Sequence, residues 1–512
     1  MCHQSCGKSV TEASWYPVLR IMSANELDPC VKLPLDNRIL EGVVDKAKDW
    51  ALMHGACMRS KVNFSKDSLQ FAPFVLLPST FPRKEFNKAV SIQPILNELV
   101  HKVAHDYEFL SKSLESTIRV DEFTGNLFKI YETVRSEGVA QPISLGLIRS
   151  DIMLESHCPE SSGCGHCSPY CCWKQVEVNT IASGFGWLGP ASAAIHRYVL
   201  QELGHGDKLK NVPKNTALEG LCGGMLEAWK LYDDPQSVIL FVVEDVTYNI
   251  CDQRFHEFEI RRQNPSVIVI RRTLTEIANS AKLGNNKELI IDDLTVAVVY
   301  FRSGYEPAQY PSDREWSARL LIERSLAIKC PSIHYHLAGT KKVQQALAAP
   351  NILGKFLDDP AKIEAVQEIF TGLYSLDLDE HGNKAAEMAI MNPDSYVLKP
   401  QREGGGNNVY GEKVSEVLQS MTDSSERTAW ILMERIIPPI QKGYMIRPGG
   451  PSIPKLVDLV SELGIFGVII GNATTIFTNS QVGYMLRTKL SDADEGGVAA
   501  GSGALDSPFL ID

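Results

Sequence analysis

The stretch KPQREGGGNNVY at 399–410 concentrates the residue types that handle phosphate. Lys399 and Arg402 bring positive charge. Gly404, Gly405 and Gly406 leave bare backbone N–H groups that can point at phosphoryl oxygens, and Glu403 can hold a magnesium ion that bridges those oxygens. Three consecutive glycines lose much backbone entropy on ordering, which suits a loop that meets a ligand closely or swings over it. The spacing is not that of a Walker loop, and taken alone the stretch also reads as a solvated turn.

A second candidate lies in KQVEVNT, where alternation places Val176 and Val178 on one side of a strand and Glu177 and Asn179 on the other. A carboxylate and an amide oxygen converging from i and i+2 are hard ligands suited to magnesium, although taken alone a polar face on a surface strand is the preferred reading. Upstream, ISLGLIRSD ends an apolar run with Arg149 and Asp151. Between these strands, 156–173 carries five cysteines and two histidines. Cys164 and Cys167 are spaced like half a zinc site that Cys171 with His157 or His166 could complete, but no second spaced pair exists, and a variable tip rich in free thiols is the reading taken.

The elements that must position these residues follow from length and periodicity. At 512 residues the chain exceeds what one hydrophobic core serves, so two or more packed regions are expected. With 44% hydrophobic and 22% charged residues and a charge of −11 without long runs of one sign, it reads as a globular chain with no nucleic-acid or anionic-membrane partner. No targeting or membrane segment stands out, because the apolar run 456–470 is broken by Asp458 and Glu462. Twelve mostly scattered cysteines suit reduced thiols and a cytoplasmic location.

Residues 1–33 read as a loosely ordered extension. From Asp36, the residues Leu40, Val43, Val44, Ala47, Trp50 and Ala51 recur at helical spacing, and 95–114 repeats the pattern through Leu99, Val103 and Leu110. An α/β region starts near Pro235. There SVILFVVE, SVIVIRR, ELIIDD and VAVVYFRSGY are strand-like and 252–262 is helical, which predicts a βαβ unit with a cleft holding Asn249, Gln253, Arg302 and Tyr305. Helices are predicted at GTKKVQQAL and 361–373, and strands at Tyr396, at WILMERI and at SELGIFGVII.

In this order KPQREGGGNNVYGE, QVEVNTI, LAGTKKVQQ, ISLGLIRSD, YFRSGY, SELGIFGV and LRTKLSDADEGGVAAG resemble the eukaryotic glutathione synthetase family, from about Leu35 to the C-terminus. The resemblance implies a mixed α/β ATP-grasp fold with a glycine-rich lid loop. Its catalytic region would be 34–235 and 338–512, with a smaller α/β substrate-binding domain inserted at 236–337. It implies a homodimer that joins γ-glutamylcysteine to glycine, with ATP as co-substrate and two magnesium ions per site.

Glu177, Asn179 and Glu403 then become the magnesium ligands. Lys341, Lys399, Gly404, Gly405, Gly406, Asn407, Asn408 and Tyr410 face the nucleotide. Met433, Glu434, Arg435 and Ile436 meet adenine, Glu462 holds the ribose, and Lys489 is a further ATP contact. Arg149, with Lys341 and Lys399, stabilises the charge developing in the reaction. The dipeptide positions are Arg149, Ile181, Ala182, Ser183, Gly184, Asn249, Gln253, Arg302, Ser303, Gly304, Tyr305 and Arg487, and Val498 and Ala499 lie in a closing loop.

Two departures stand out. Ala182, Ser183 and Gly184 replace Ser-x-Ser, and Thr247 with Tyr248 replaces a charged pair. An acceptor such as β-alanine or serine, or a catalytically silent binding relative, remains an alternative.

Overall fold

The computed structural model describes residues 26–157, 169–402, 406–498 and 501–512. Among them the largest sheet has eight strands, in the order Glu26–Leu27, Ile440–Ile446, Phe74–Val75, Gly503–Asp506, Ile476–Leu490, Leu456–Gly471, Ser144–Glu155 and Cys172–Asn179. Its centre is three long antiparallel strands, with Phe466 paired to Arg149 and Glu462 to Arg487. The strand predicted from Ser461 runs from Leu456 to Gly471. Its second half is buried throughout because the helices Arg83–Ala104 and Ala217–Tyr232 both pack on it, so its sequence is a continuous apolar run rather than an alternation. Gly467 lets one helix approach: a Cβ there would lie 2.0 Å from Asn97 Oδ1.

A helix spans Asn37–Met53, as the periodicity predicts, with Asp36 Oδ1 accepting from the N–H groups of Arg38 and Ile39 at its start. The pattern at 95–114 is divided between Arg83–Ala104 and Tyr107–Leu114. His105 caps the end of the first and Asp106 starts the second, its Oδ1 accepting from Phe109 N at 2.8 Å. A further helix at Glu122–Glu137, which the sequence reading does not single out, buries Phe123, Leu127, Phe128, Ile130, Tyr131 and Val134.

The strands Val238–Val242 and Val269–Arg272 are parallel and joined through the helix Ile250–Gln263, so the expected βαβ unit is present. They belong to a six-stranded sheet with Lys282–Leu283, Leu289–Ile291, Leu294–Phe301 and Ile328–Cys330. A separate four-stranded antiparallel sheet contains Leu373–Ser375, Trp430–Glu434, Tyr396–Pro400 and Val409–Tyr410. A small core behind it includes Leu376, Ala385, Ala386, Ala389, Leu398, Val414, Leu418 and Leu432, which draws on the helices Glu380–Met391 and Glu412–Ser420.

Cys164, Cys167 and His166 lie outside the described residues. Cys171 is disulfide-bonded, which removes it as a thiolate ligand for a zinc site there. Cys30, Cys57, Cys172, Cys222, Cys251 and Cys330 are free.

Candidate active site

A cavity of about 390 Å³ opens between the four-stranded sheet and the large sheet. Twelve of the expected residues line it: Glu177, Lys341, Lys399, Asn408, Tyr410, Met433, Glu434, Arg435, Ile436, Glu462, Arg487 and Lys489. Gly406 and Asn407 do not reach its wall, and Glu403, Gly404 and Gly405 lie outside the described residues.

One end of the cavity is apolar, built from Met153, Val397, Met433, Ile440 and Val460, and suits a flat ring. Glu434 is held there by Tyr374 OH at 2.6 Å and Gly372 N at 3.2 Å. Charged side chains of both signs complete the wall. Lys341 and Lys399 are buried in it, and the Lys399 ammonium donates to Val176 O at 2.7 Å. Arg402 also lines the cavity and pairs with Asp121 at 2.7 Å.

The alternation expected at 174–180 is broken. Asp151 pairs with Glu177 but Ile152 pairs with Gln175, so Val176 is an extra residue in the ladder. As a result Val176 joins Glu177 on the cavity while Val178 enters the core, which corrects the expectation that Val176 and Val178 share a face. The convergence of Glu177 and Asn179 holds, with Asn179 Nδ2 at 3.3 Å from Glu177 Oε1.

Around them runs a charge network that the sequence reading does not anticipate as a unit. Its centre is Asp151, a fully buried carboxylate with no role assigned from the sequence. Arg149 donates to both its oxygens, at 2.6 and 2.7 Å, and Asn179 Nδ2 approaches at 3.0 Å. Arg487 reaches Asp151 at 3.4 Å and Glu462 at 2.5 Å, and Lys341 pairs with Glu177 at 3.0 Å. Burial pushes the Asp151 carboxyl up against the pull of Arg149 and Arg487. Burial also penalises the Glu177 charge, but Lys341, Lys399 and Arg487 together hold that carboxyl well below the usual carboxylate range. Glu177 is therefore ionised and can act as a hard ligand.

Arg149 also donates Nη1 to Gly184 O at 3.1 Å, which links this network to the 181–188 turn. Asp252 organises that turn: it accepts from Phe185 N at 3.0 Å, Trp187 N at 2.9 Å and Leu188 N at 3.2 Å, and pairs with Arg302 at 3.2 Å. Ala182 and Phe185 adopt φ of 49° and 78°, a left-handed backbone that these tethers hold in place. A Cβ on Gly184 would lie 3.6 Å from Arg302 Nη2 and 3.8 Å from Asn249 Nδ2, so Asn249, Arg302 and Gly184 meet at one place.

Other dipeptide positions are differently placed. Ser183 donates its hydroxyl to Leu147 O and Asn179 O, both at 3.2 Å, and so does not replace the missing serines. The Ile181 side chain is in the core. Gln253 Oε1 accepts from Arg271 at 2.8 Å. Ser303 is buried, and Gly304 takes a φ of 101° before Tyr305. Val498 packs in an apolar cluster with Leu505 and Tyr444, and Ala499 lies outside the described residues.

Two sheets closing on a cavity whose wall combines apolar side chains with Lys341, Lys399 and the ionised Glu177 define an ATP-dependent ligase of the ATP-grasp type. Residues 37–510 match the family described as eukaryotic glutathione synthase, ATP binding domain. The chain is 44% identical to glutathione synthetase of Xenopus laevis and 42% identical to that of Homo sapiens, over 93% of this chain and 98% of each relative. It is 37% identical to the chloroplastic glutathione synthetase of Arabidopsis thaliana over 99% of this chain and 90% of that one. A solved glutathione synthetase-like effector of Globodera pallida in its apo form aligns with a TM-score of 0.74 at 26% identity, covering 93% of this chain and 98% of that chain. The chain belongs to the eukaryotic glutathione synthase family.

Proposed function

We propose that the chain joins γ-glutamylcysteine to glycine, with ATP converted to ADP and phosphate. The observation that carries this reading is Arg149. It touches Asp151 in the network behind the nucleotide cavity and Gly184 in the turn beside Asn249 and Arg302, and so bridges the two places where the reactants would lie.

In this reading the cysteinyl carboxylate attacks the γ-phosphoryl group of ATP to form an acyl phosphate, with ADP leaving. The glycine amine then adds to the acyl carbon, and the tetrahedral intermediate collapses with loss of phosphate. Lys341 and Lys399 hold the phosphates, Arg149 meets the developing charge, and Met433 with the backbone of 434–436 holds the adenine. Glu462 takes the ribose, Lys489 a further nucleotide contact, and Arg487 the dipeptide. The donor set of Glu177, Asn179 and Glu403 is a set of hard oxygens and fits magnesium, which supplies charge neutralisation at the phosphates when bound.

We assign residues 236–337 to dipeptide binding, and 34–235 with 338–512 to nucleotide binding and catalysis. The sequence resemblance supports a homodimer, and the six free cysteines among the described residues support a cytoplasmic location. Among the described residues no helix is long and apolar enough to cross a membrane.

The test is ADP release with γ-glutamylcysteine present and glycine, β-alanine or serine added in turn. Glycine-dependent release is expected. Release without any acceptor would overturn the ligase reading, and a preference for β-alanine or serine would replace the acceptor.

A further inference from the structure

Among the described residues, three polar atoms beside the 181–188 turn are buried without a hydrogen-bond partner: Nε of Arg302, Oδ1 of Asn249 and, against Gly186, Nε2 of His256. Arg302 is itself 5% exposed. An orphaned cationic donor and an orphaned acceptor on two side chains that meet at Gly184 are what the head group of an α-amino acid would satisfy, its carboxylate on Arg302 and its ammonium on Asn249. A buried ammonium also calls for a negative charge. The charged pair that the family resemblance places before Asn249 is absent, and Thr247 there is buried, donating its hydroxyl to Glu244 O at 3.1 Å.

That hydrogen bond ends on the backbone of Glu244, whose side chain carries a carboxylate. Glu244 follows the strand Val238–Val242. Its Oε1 accepts from Tyr305 OH at 3.2 Å and Gln309 Nε2 at 2.9 Å, while Oε2 accepts from no described residue. Asp252 is unavailable, because three backbone N–H groups and Arg302 occupy both its oxygens. Burial raises the Glu244 acid and the neighbouring Glu306 adds to this, against the pull of Tyr305, Arg302 and Gln309. An arriving ammonium would reverse that penalty.

We propose that Glu244 is the ammonium receptor of the dipeptide site, acting together with Asn249 Oδ1, and that it selects donors bearing a free α-amino group. The proposal rests on the ligase reading and names how its donor is recognised.

The experiment is calorimetric titration of the full chain with γ-glutamylcysteine and with glutarylcysteine, which is the same molecule without the α-ammonium. The proteins are the wild type, Glu244→Gln and Glu306→Gln. A hydrogen bond between charged groups corresponds to about tenfold or more in affinity. The wild type is therefore expected to favour γ-glutamylcysteine by at least about that factor, Glu244→Gln to lose the preference, and Glu306→Gln to keep it. Gln at 244 still accepts from Tyr305 and Gln309, so its melting temperature should stay near wild type. A preference that survives in Glu244→Gln, that vanishes in Glu306→Gln, or that is missing from the wild type overturns the proposal. The ligase reading is judged separately, by ADP release, so the two failures are distinguishable.

Discussion

Glu177 sits where the nucleotide cavity meets the charge network, and its ionised state depends on three cations around a partly buried carboxylate. Replacing it with Gln keeps an oxygen for Lys341 and for the strand partner Asn179 but removes the charge a hard cation needs. We expect Glu177→Gln to lower turnover by about 10²-fold or more, to raise the magnesium requirement and to unfold at nearly the wild-type temperature. Steady-state rates across a magnesium titration check this, and full activity at limiting magnesium would remove Glu177 from the site. At this scale residue types were readable: two lysines, a carboxylate and an amide in the right segments. The role of Asp151 was not, because nothing local distinguishes an acid at the end of an apolar run from the centre of a network whose partners Arg149, Asn179 and Arg487 arrive from three strands.

The strand Leu456–Gly471 positions that network by what it omits. Gly464 lies opposite Asp151, and a Cβ there would meet Asp151 Oδ1 at 2.8 Å, Arg149 Cδ at 2.9 Å and Met485 Cε at 2.7 Å. Gly464→Ala should therefore displace the Arg149 and Asp151 pair, lowering both turnover and stability, the latter by about 1–3 kcal/mol. Paired measurements of denaturant midpoint and turnover decide it, and wild-type values for both would show that the pair is not held by this strand.

The strand Gly503–Asp506, on the far side of Ile476–Leu490, ends on a fully buried carboxylate. Asp506 Oδ1 accepts from Ser507 N at 2.7 Å and Ser79 N at 3.2 Å, and Oδ2 accepts from Ser79 Oγ at 2.6 Å and Thr488 Oγ1 at 2.5 Å. Burial outweighs these bonds and pushes its pKa up to about 7 from an unfolded value of 3.8. The folded chain thus holds this proton more tightly than the unfolded chain. The contribution favours folding at acid pH and is lost as pH rises between the two values, by at most about 4 kcal/mol. Asn fits the same place, with its oxygen toward the two N–H groups and its amide toward the two hydroxyls. We expect Asp506→Asn to flatten the fall in unfolding free energy between about pH 4 and pH 7, measured by urea denaturation. An unchanged slope would show that Asp506 does not titrate there.

For the whole molecule, the dimer proposed above is tested by light scattering, which should give about twice the chain mass of 56.7 kDa. A mass equal to one chain would exclude a stable dimer. The sequence by itself determined the family, the α/β class, the βαβ unit and twelve residues of the cavity wall, because those follow from local periodicity and from motifs whose chemistry is written in residue type. It did not determine where the helix over 95–114 divides, which the side chain of Asp106 decides by capping a new start. Nor did it determine that Val176 shares the cavity with Glu177, because one extra residue in a ladder is visible only against the partner strand. The placement of Asp252 and Glu244 needed the folded chain for the same reason. Each carboxylate acts through groups far along the sequence, such as Phe185 and Arg302 for one and Tyr305 and Gln309 for the other. Only tertiary packing decides which buried charge is already satisfied and which is left open for a ligand.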